Sequence, residues 1–318
     1  MTASGDPSKI DLAVVIVTWN NADIIANALR TLIDDLRDSR LRYGVWVVDS
    51  ASNDQSADIV GREFPAVHLL ENKANIGFAA ANNLAMRKLG FGSAALPSEM
   101  PSAVYLLNPD TVTHPGATRR LYDALMSLPD VGVVGARLTF ADGSFQHSAF
   151  RFPGLRQIWA ELFPTAGRLL DGSFNGRYPR ACYAGTEAFE VDFTLGATMM
   201  LKREVIEQTG MFDEDFFLYC EEVEWAWRIR KRGWRILCVP TAHVTHIGGG
   251  STSQVRPGSL IHLWKSRLLL YDKVYPNWKR RLARRLVILG MRRKMRNLGA
   301  ADADLRAACQ TVIEMAKA

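Results

Sequence analysis

Residues 12–17 (LAVVIV) and 45–48 (VWVV) are short apolar runs separated by one amphipathic stretch, and this alternation constrains the fold more than any other feature. Each run is too short for a helix and rich in β-branched residues, so both read as buried parallel strands. Between them Ile24, Ile25, Ala28, Leu29, Leu32, Ile33 and Leu36 recur at helical spacing, with Asn20 or Asn21 available as N-cap. The βαβ pattern continues through a helix near 54–64, a strand at 67–70, a helix near 79–89 and a strand at 103–107. Pro115 then fits the first position of a helix running to about Leu128. The first 130 residues therefore predict an α/β fold with a mostly parallel sheet flanked by helices. Beyond Val131 the pattern changes to short strands and loops, with apolar runs at 191–195 and 198–201. A helix is expected over 221–232, a strand over 235–239, and two helices over 259–275 and 277–297.

With 318 residues, 48% of them hydrophobic, the chain can bury a large core in one or two domains, which excludes disorder and a disulfide mini-scaffold. No apolar run approaches the ~18 residues that cross a bilayer, and residues 1–9 lack the basic-then-apolar order of a signal peptide, so the cytoplasm is the expected location. Cys182, Cys220, Cys238 and Cys309 have no C-x-x-C spacing and read as buried free thiols. Charge is uneven. Residues 256–296 hold 13 Lys and Arg against Asp272 alone, a local +12, which leaves 26 basic and 32 acidic residues, or −6, elsewhere. A basic end on a near-neutral body points to an anionic partner surface, membrane or nucleic acid.

In an open parallel sheet the ligand sits beyond the carboxyl ends of the strands. Three polar clusters fall there: Thr18, Trp19 and Asn20; Asp49, Ser50, Ser52, Asn53 and Asp54; and Asn108, Pro109, Asp110 and Thr111. Neither G-x-G-x-x-G after the first strand nor G-x-x-x-x-G-K-[ST] anywhere is present, which disfavours dinucleotide and P-loop sites. Asp49 can accept hydrogen bonds from a nucleobase or ribose, and Asp110 can hold a divalent cation. Singly, Asp49 and Asp54 serve equally well as caps of turns and of the following helix.

Together, V-V-D-S-A-S-N-D (47–54), N-I-G-F-A-A-A-N-N (75–83) and L-L-N-P-D-T (106–111) resemble the family 2 glycosyltransferases with the Rossmann-like GT-A fold. The resemblance continues through G-M-F-D-E-D-F-F-L-Y-C-E-E-V-E-W-A-W-R-I-R-K-R-G-W (210–234) and covers about residues 11–251. It implies a GT-A domain over 1–255, with a nucleotide-sugar half at about 10–130 and an acceptor half at 131–255, followed by a basic helical extension over 256–318. Asp49 then contacts the nucleobase, and Thr18, Asn20, Ser52, Asp54, Asn75, Gly77, Phe78, Asn82 and Asn108 complete the donor site. Asn-Pro-Asp stands where the family has Asp-x-Asp, so Asp110 becomes the principal carboxylate for Mg²⁺ or Mn²⁺. His246, in H-V-T-H-I-G-G-G-S (243–251), matches a metal-coordinating His, with His243 as alternative. Gly248, Gly249 and Gly250 would allow close approach to phosphate. Gly196, Ala197 and Asp213 fall on the acceptor side. Glu221 and Glu222 match a Glu-Asp pair whose second member is the base in inverting members. Glu222 replaces that Asp, which leaves the base open between the two, and both also suit a helix start. Cys220 replaces a more frequent Gly.

The resemblance implies an inverting, metal-dependent transferase using a nucleotide-diphosphate sugar. The L-L-N-P-D-T and F-F-L-Y-C-E-E forms are similar to rhamnosyltransferases using dTDP-L-rhamnose, with a UDP-hexose donor as alternative. In the basic end Trp278, Leu282, Leu286 and Leu289 form an apolar seam, and Trp264, Tyr271, Tyr275 and Trp278 are residues that favour membrane interfaces. The expected acceptor is therefore a polyprenyl-diphosphate-linked glycan, met by a peripheral enzyme at the inner face of the cell membrane. Two other classes compete. A nucleotidyltransferase would need a Gly-rich loop after strand one, which is missing, and a nucleic-acid-binding module would need stacking aromatics among its basic residues. Nucleic acid is not expected as a partner.

Overall fold

The computed structural model describes residues 10–93, 100–248, 256–299 and 302–318; residues 1–9, with their leader reading, and Gly249 and Gly250 lie outside them. The first half runs β1 (Leu12–Thr18), α1 (Ile25–Asp38), β2 (Tyr43–Asp49), α2 (Ser56–Glu63), β3 (His68–Glu71), α3 (Phe78–Lys88), β4 (Ala103–Leu107), β5 (Thr111–Thr113) and α4 (Ala117–Ser127). The second comprises β6 (Val131–Thr139), β7 (Phe145–Gln146), β8 (Ala149–Phe150), α5 (Leu155–Leu162), α6 (Gly167–Leu170), α7 (Arg180–Ala184), β9 (Phe189–Val191), β10 (Phe193–Thr194), β11 (Thr198–Lys202), α8 (Arg203–Thr209), α9 (Glu221–Lys231) and β12 (Arg235–His246). Helices α10 (Arg256–Val274), α11 (Asn277–Arg296) and α12 (Ala303–Lys317) follow.

The expected largely parallel sheet flanked by helices is present, in the order β3-β2-β1-β4-β11-β6-β12-β5. Strands β3, β2, β1 and β4 are parallel, as are β6 and β12, while β11 runs antiparallel between β4 and β6. Alternation along β1 divides its side chains between two cores: Leu12, Val14 and Ile16 pack with Ile25, Leu29, Leu32 and Leu36 of α1, whereas Val15 and Val17 belong to the opposite core with Ala79, Ala81 and Ala85 of α3. At roughly 1.5–3 kcal/mol per buried aliphatic side chain, this two-sided burial fixes the helix spacing read from the sequence.

Four local expectations need correction. Neither Asn20 nor Asn21 caps α1 by its side chain; the Asn21 carbonyl accepts the Ile24 and Ile25 N–H groups instead. Helix α4 begins at Ala117, not Pro115, because Gly116 turns left-handed and the buried Asp35 of α1 accepts the Gly116 and Thr118 N–H groups, the latter at 2.8 Å. One carboxylate thus satisfies two donors at a helix start from a distant helix, a pairing that local sequence does not display. Asp35→Ala should lower unfolding stability by about 2–3 kcal/mol in urea titrations, since it strands both donors. Finally, the region after 131 contains a nine-residue strand, β6, and the strand expected to stop at Val239 continues through a register shift to His246.

Among the described residues the C-terminal segment holds three helices rather than two. Its core joins Trp264, Leu268 and Tyr271 of α10 to Ala283, Val287 and Met291 of α11, Cys309, Val312 and Ile313 of α12, and Ile158 of α5. Trp264 and Tyr271 are therefore core residues, not interface aromatics, and half-buried Tyr275 donates its hydroxyl to the Pro153 carbonyl. Gly290 lets α11 close on α5, because a Cβ there would stand 2.6 Å from Leu162. Of the expected seam, Leu286 packs against this core instead, about 40–80° around the helix from the others, while Trp278, Leu282 and Leu289 point into solvent. No described helix is long and apolar enough to cross a membrane. Three of the cysteines are buried, Cys182 is half-buried, and all four are free.

Candidate active site

From β1 the chain moves outward to β2 and β3, then returns to β4 on the other side of β1, so the loops after β1 and β4 diverge and open a crevice at the strand ends. A cavity of about 540 Å³ occupies it, reached by Trp19 and Asn21 after β1, Ser50 after β2, and Asn108, Pro109 and Asp110 after β4. Ten of the residues singled out from the sequence line it: Asn75, Gly77, Phe78, Asn108, Asp110, Gly196, Ala197, Glu221, Glu222 and His246.

Thr18, Asn20, Asp49, Ser52 and Asp54 form the framework behind that wall. Asp49 is buried and accepts both the Ser52 N–H at 2.9 Å and its hydroxyl at 2.6 Å. Ser52 Oγ accepts the Asn20 N–H, and Asn20 Oδ1 accepts the Asn53 N–H. Asp54 accepts the Ala22 and Ser56 N–H groups, while Ser56 Oγ accepts that of Asn21. These bonds lace the β1 and β2 loops together and hold the left-handed Asn20 and Ala51. Asn82 donates to the Phe78 carbonyl within α3. Gly77 has φ +85°, and a Cβ there would sit 2.4 Å from the Phe217 carbonyl oxygen, which accepts the Phe78 N–H. Glycine is thus required for α3 to dock against the loop before α9. Asp213, in that loop, pairs with Lys273 of α10 at 2.6 Å and does not line the cavity.

Helix α9 presents the carboxylate pair. Tyr219 and Cys220 are both left-handed, with φ near +70°, an arrangement costing on the order of 1–2 kcal/mol per residue that aims the helix start into the cavity. Arg228 secures it, pairing with Glu224 and donating to the Thr209 and Met211 carbonyls. Glu221 is buried; Glu222 is partly accessible and stands beside Gly196, where a Cβ would touch its side chain at 3.8 Å. Burial pushes the Glu222 carboxyl up to about 7, and burial together with the Glu222 charge raises Glu221. Oxygens of Asn108, Asp110, Glu221 and Glu222 are buried on this one cavity without hydrogen-bond partners among the described residues. Such atoms are rare in folded proteins, and their concentration marks a place for a ligand.

Asp110 Oδ1 lies 3.4 Å from His246 Nε2, and the other His246 nitrogen is held by the Gln146 side-chain amide. A buried carboxylate with an unpartnered oxygen facing an imidazole oriented from behind is a donor set that fits a divalent cation. Among the described residues no group of three or more His, Cys, Asp or Glu side chains converges on a metal position. A substrate diphosphate supplies the remaining oxygens in many such sites. His243 lies elsewhere: its ring stacks on His114 at 3.9 Å, its Nε2 bonds Thr139, and burial together with His114 pushes it down to about 4.

One side of the cavity is built by Phe217, Leu218 and Tyr219, which the sequence marks only as part of the 210–234 segment, and by Gly258, Ser259 and His262 of α10, which sequence reading missed. His262 stacks on Phe217 at 5.0 Å, and Ser266 donates to the Leu218 carbonyl. No local signal marks the α10 residues, because the position of α10 depends on packing far along the chain.

A family model described as glycosyltransferase like family 2 matches residues 7–261. The chain is 29% identical over 276 residues to the N-acetylglucosaminyl-diphospho-decaprenol L-rhamnosyltransferase of Mycobacterium tuberculosis, covering 85% of this chain and 86% of that protein. It is 25% identical over 223 residues to the low-salt glycan biosynthesis hexosyltransferase Agl10 of Haloferax volcanii, covering 70% and 62%. Among solved structures, the mannosyltransferase PcManGT from Pyrobaculum calidifontis, in complex with GDP-Man and Mn²⁺, superposes with a TM-score of 0.54 at 17% identity, covering 99% of this chain and 86% of that one. The shared architecture bears out the GT-A expectation.

Proposed function

The chain belongs to glycosyltransferase family 2, and from that premise we propose that it transfers L-rhamnose from dTDP-L-rhamnose, with inversion, to a hydroxyl of a polyprenyl-diphosphate-linked glycan. The observation that carries the reaction is the carboxylate pair with unpartnered oxygens on the cavity that also holds Asp110 and His246. Glu222, the more accessible of the pair, receives the acceptor proton as the hydroxyl oxygen attacks the anomeric carbon and the bond to the nucleotide diphosphate breaks. Its raised pKa makes it a stronger base than an ordinary carboxylate while leaving a substantial ionised fraction near neutrality. Asp110 and His246 would hold Mg²⁺ or Mn²⁺, which neutralises charge on the departing diphosphate when bound. Gly196 keeps space for the acceptor beside Glu222. Asn75, Gly77 and Phe78 border the donor, with Asp49 and Ser52 setting the loop that meets its base.

The donor and acceptor assignments are supported by the Mycobacterium tuberculosis relative, which aligns over most of both chains. The same reading places the protein peripherally at the inner face of the cell membrane. A screen of nucleotide sugars with product mass as readout tests the donor: dTDP-L-rhamnose should be consumed fastest, yielding an acceptor heavier by one deoxyhexose residue. Transfer from a UDP-hexose in preference to any dTDP sugar would favour the hexosyl alternative, which the Haloferax volcanii relative supports.

A further inference from the structure

Resting on the membrane-side reading above and deepening it, we propose that the outward face of α11, with Trp159 of the neighbouring α5, inserts into an anionic bilayer surface. Helix α11 packs through Ala283, Val287, Gly290 and Met291. Trp278, Leu282 and Leu289 stand on the opposite side at i, i+4 and i+11, exposed by 65%, 41% and 53%. Alongside, α5 is held by the Leu162 contact with Gly290 and carries Trp159, 44% exposed and stacked on Phe163. Large apolar side chains at this spacing and exposure have no role in the helical core described above.

Charge identifies the occupant. Arg267, Lys273, Arg280 and Arg284 are neutralised locally by Glu161, Asp213, Asp215 and Asp272. Arg281, Arg285, Arg292, Arg293, Lys294 and Arg296 are exposed and pair with no carboxylate among the described residues. On a helical projection Arg285 and Arg292 border the apolar stripe on one side and Arg293 on the other, with Arg296 in line with it at the helix end, the arrangement in which aliphatic and indole groups enter the acyl boundary while guanidinium groups remain among phosphates. A protein partner would need a complementary acidic groove, whereas a bilayer rich in anionic lipid supplies the complement along the whole helix.

The test is flotation of the full-length protein with phosphatidylcholine vesicles, with and without phosphatidylglycerol, alongside sedimentation and nucleotide-sugar hydrolysis on the same preparations. Wild type should float with the anionic vesicles, at least tenfold less with the neutral ones, and be released at 1 M salt, where the screening length falls to ~3 Å. Leu282→Asp/Leu289→Asp should lose binding by at least tenfold at low salt while melting and hydrolysing donor like wild type, because both positions are solvent-facing. Trp159→Ser/Trp278→Ser should show the same loss. Wild type that stays unbound to anionic vesicles, or a double-Asp protein that floats as wild type does, overturns the proposal. So does a wild-type dimer that the double-Asp variant splits, since the occupant would then be a second copy. Flotation that depends on these residues in a protein hydrolysing no nucleotide sugar supports the docking face and counts against the transferase reading alone.

Discussion

At pH 8 the Glu222→Gln protein should lose sugar transfer by about 10²–10⁴-fold, the usual contribution of a general base, while binding nucleotide normally and melting at a higher temperature than wild type. Both effects have one origin. Burial raises the Glu222 carboxyl from the ordinary 4.5 to about 7, so between those values the folded protein keeps a proton that the unfolded chain has released. Stability must therefore fall as pH rises across that window, and above 7 the folded state carries a buried charge it does not favour. Removing it should stabilise the protein by about 1–3 kcal/mol at pH 8, discounted for partial solvent access, and by almost nothing at pH 4, where the wild-type carboxyl is protonated in both states. Wild-type transfer should rise with pH through a midpoint near 7. The measurements are kcat/KM against pH and thermal melts of both proteins at pH 4 and 8. A Glu222→Gln protein with full activity, together with an inactive Glu221→Gln, would move the base to Glu221.

Asp110→Asn should reduce turnover by about 10²–10³-fold and weaken calorimetric binding of Mn²⁺ in the presence of nucleoside diphosphate, with little change in melting temperature. The amide retains the shape of the carboxylate but not its charge, and the Asp110 oxygen facing His246 has no protein hydrogen bond to lose. Chelation with EDTA should silence the wild type, and added Mn²⁺ or Mg²⁺ should restore it. Unchanged activity in EDTA would remove the metal from the mechanism and leave the Asp110 and His246 pair with a purely structural role.

The sequence was most informative where function is encoded by local order. Strand β1 and helix α1 announce themselves through burial periodicity, and the residues after β1, β2 and β4 fall at the crevice because a parallel sheet gathers its strand ends on one side. The resemblance favours His246 over His243, but the physical reason is not legible, since it depends on a register shift in β12 that places His243 against His114 and carries His246 onward to Asp110. Asp35 and Arg228 were missed for a related reason: their partners, the start of α4 and the carbonyls of Thr209 and Met211, are assembled only by packing. Helix α12 had a visible pattern, with Ala308, Cys309, Val312, Ile313 and Ala316 recurring at helical spacing. Its signal is overshadowed by the basic stretch before it. Trp264 sits among the same basic residues, yet its neighbours Leu268 and Tyr271 at i+4 and i+7 mark a packed face rather than an interface.

The central claim, direct displacement at the anomeric carbon assisted by Glu222, is tested most directly by the anomeric configuration of the product. Purified protein, a nucleotide sugar of known anomer and a lipid-linked acceptor should give a glycosidic bond whose one-bond carbon–proton NMR coupling at the anomeric centre reports the anomer opposite to that of the donor. A product that retains the donor's configuration would contradict single displacement and, with it, the role assigned to Glu222.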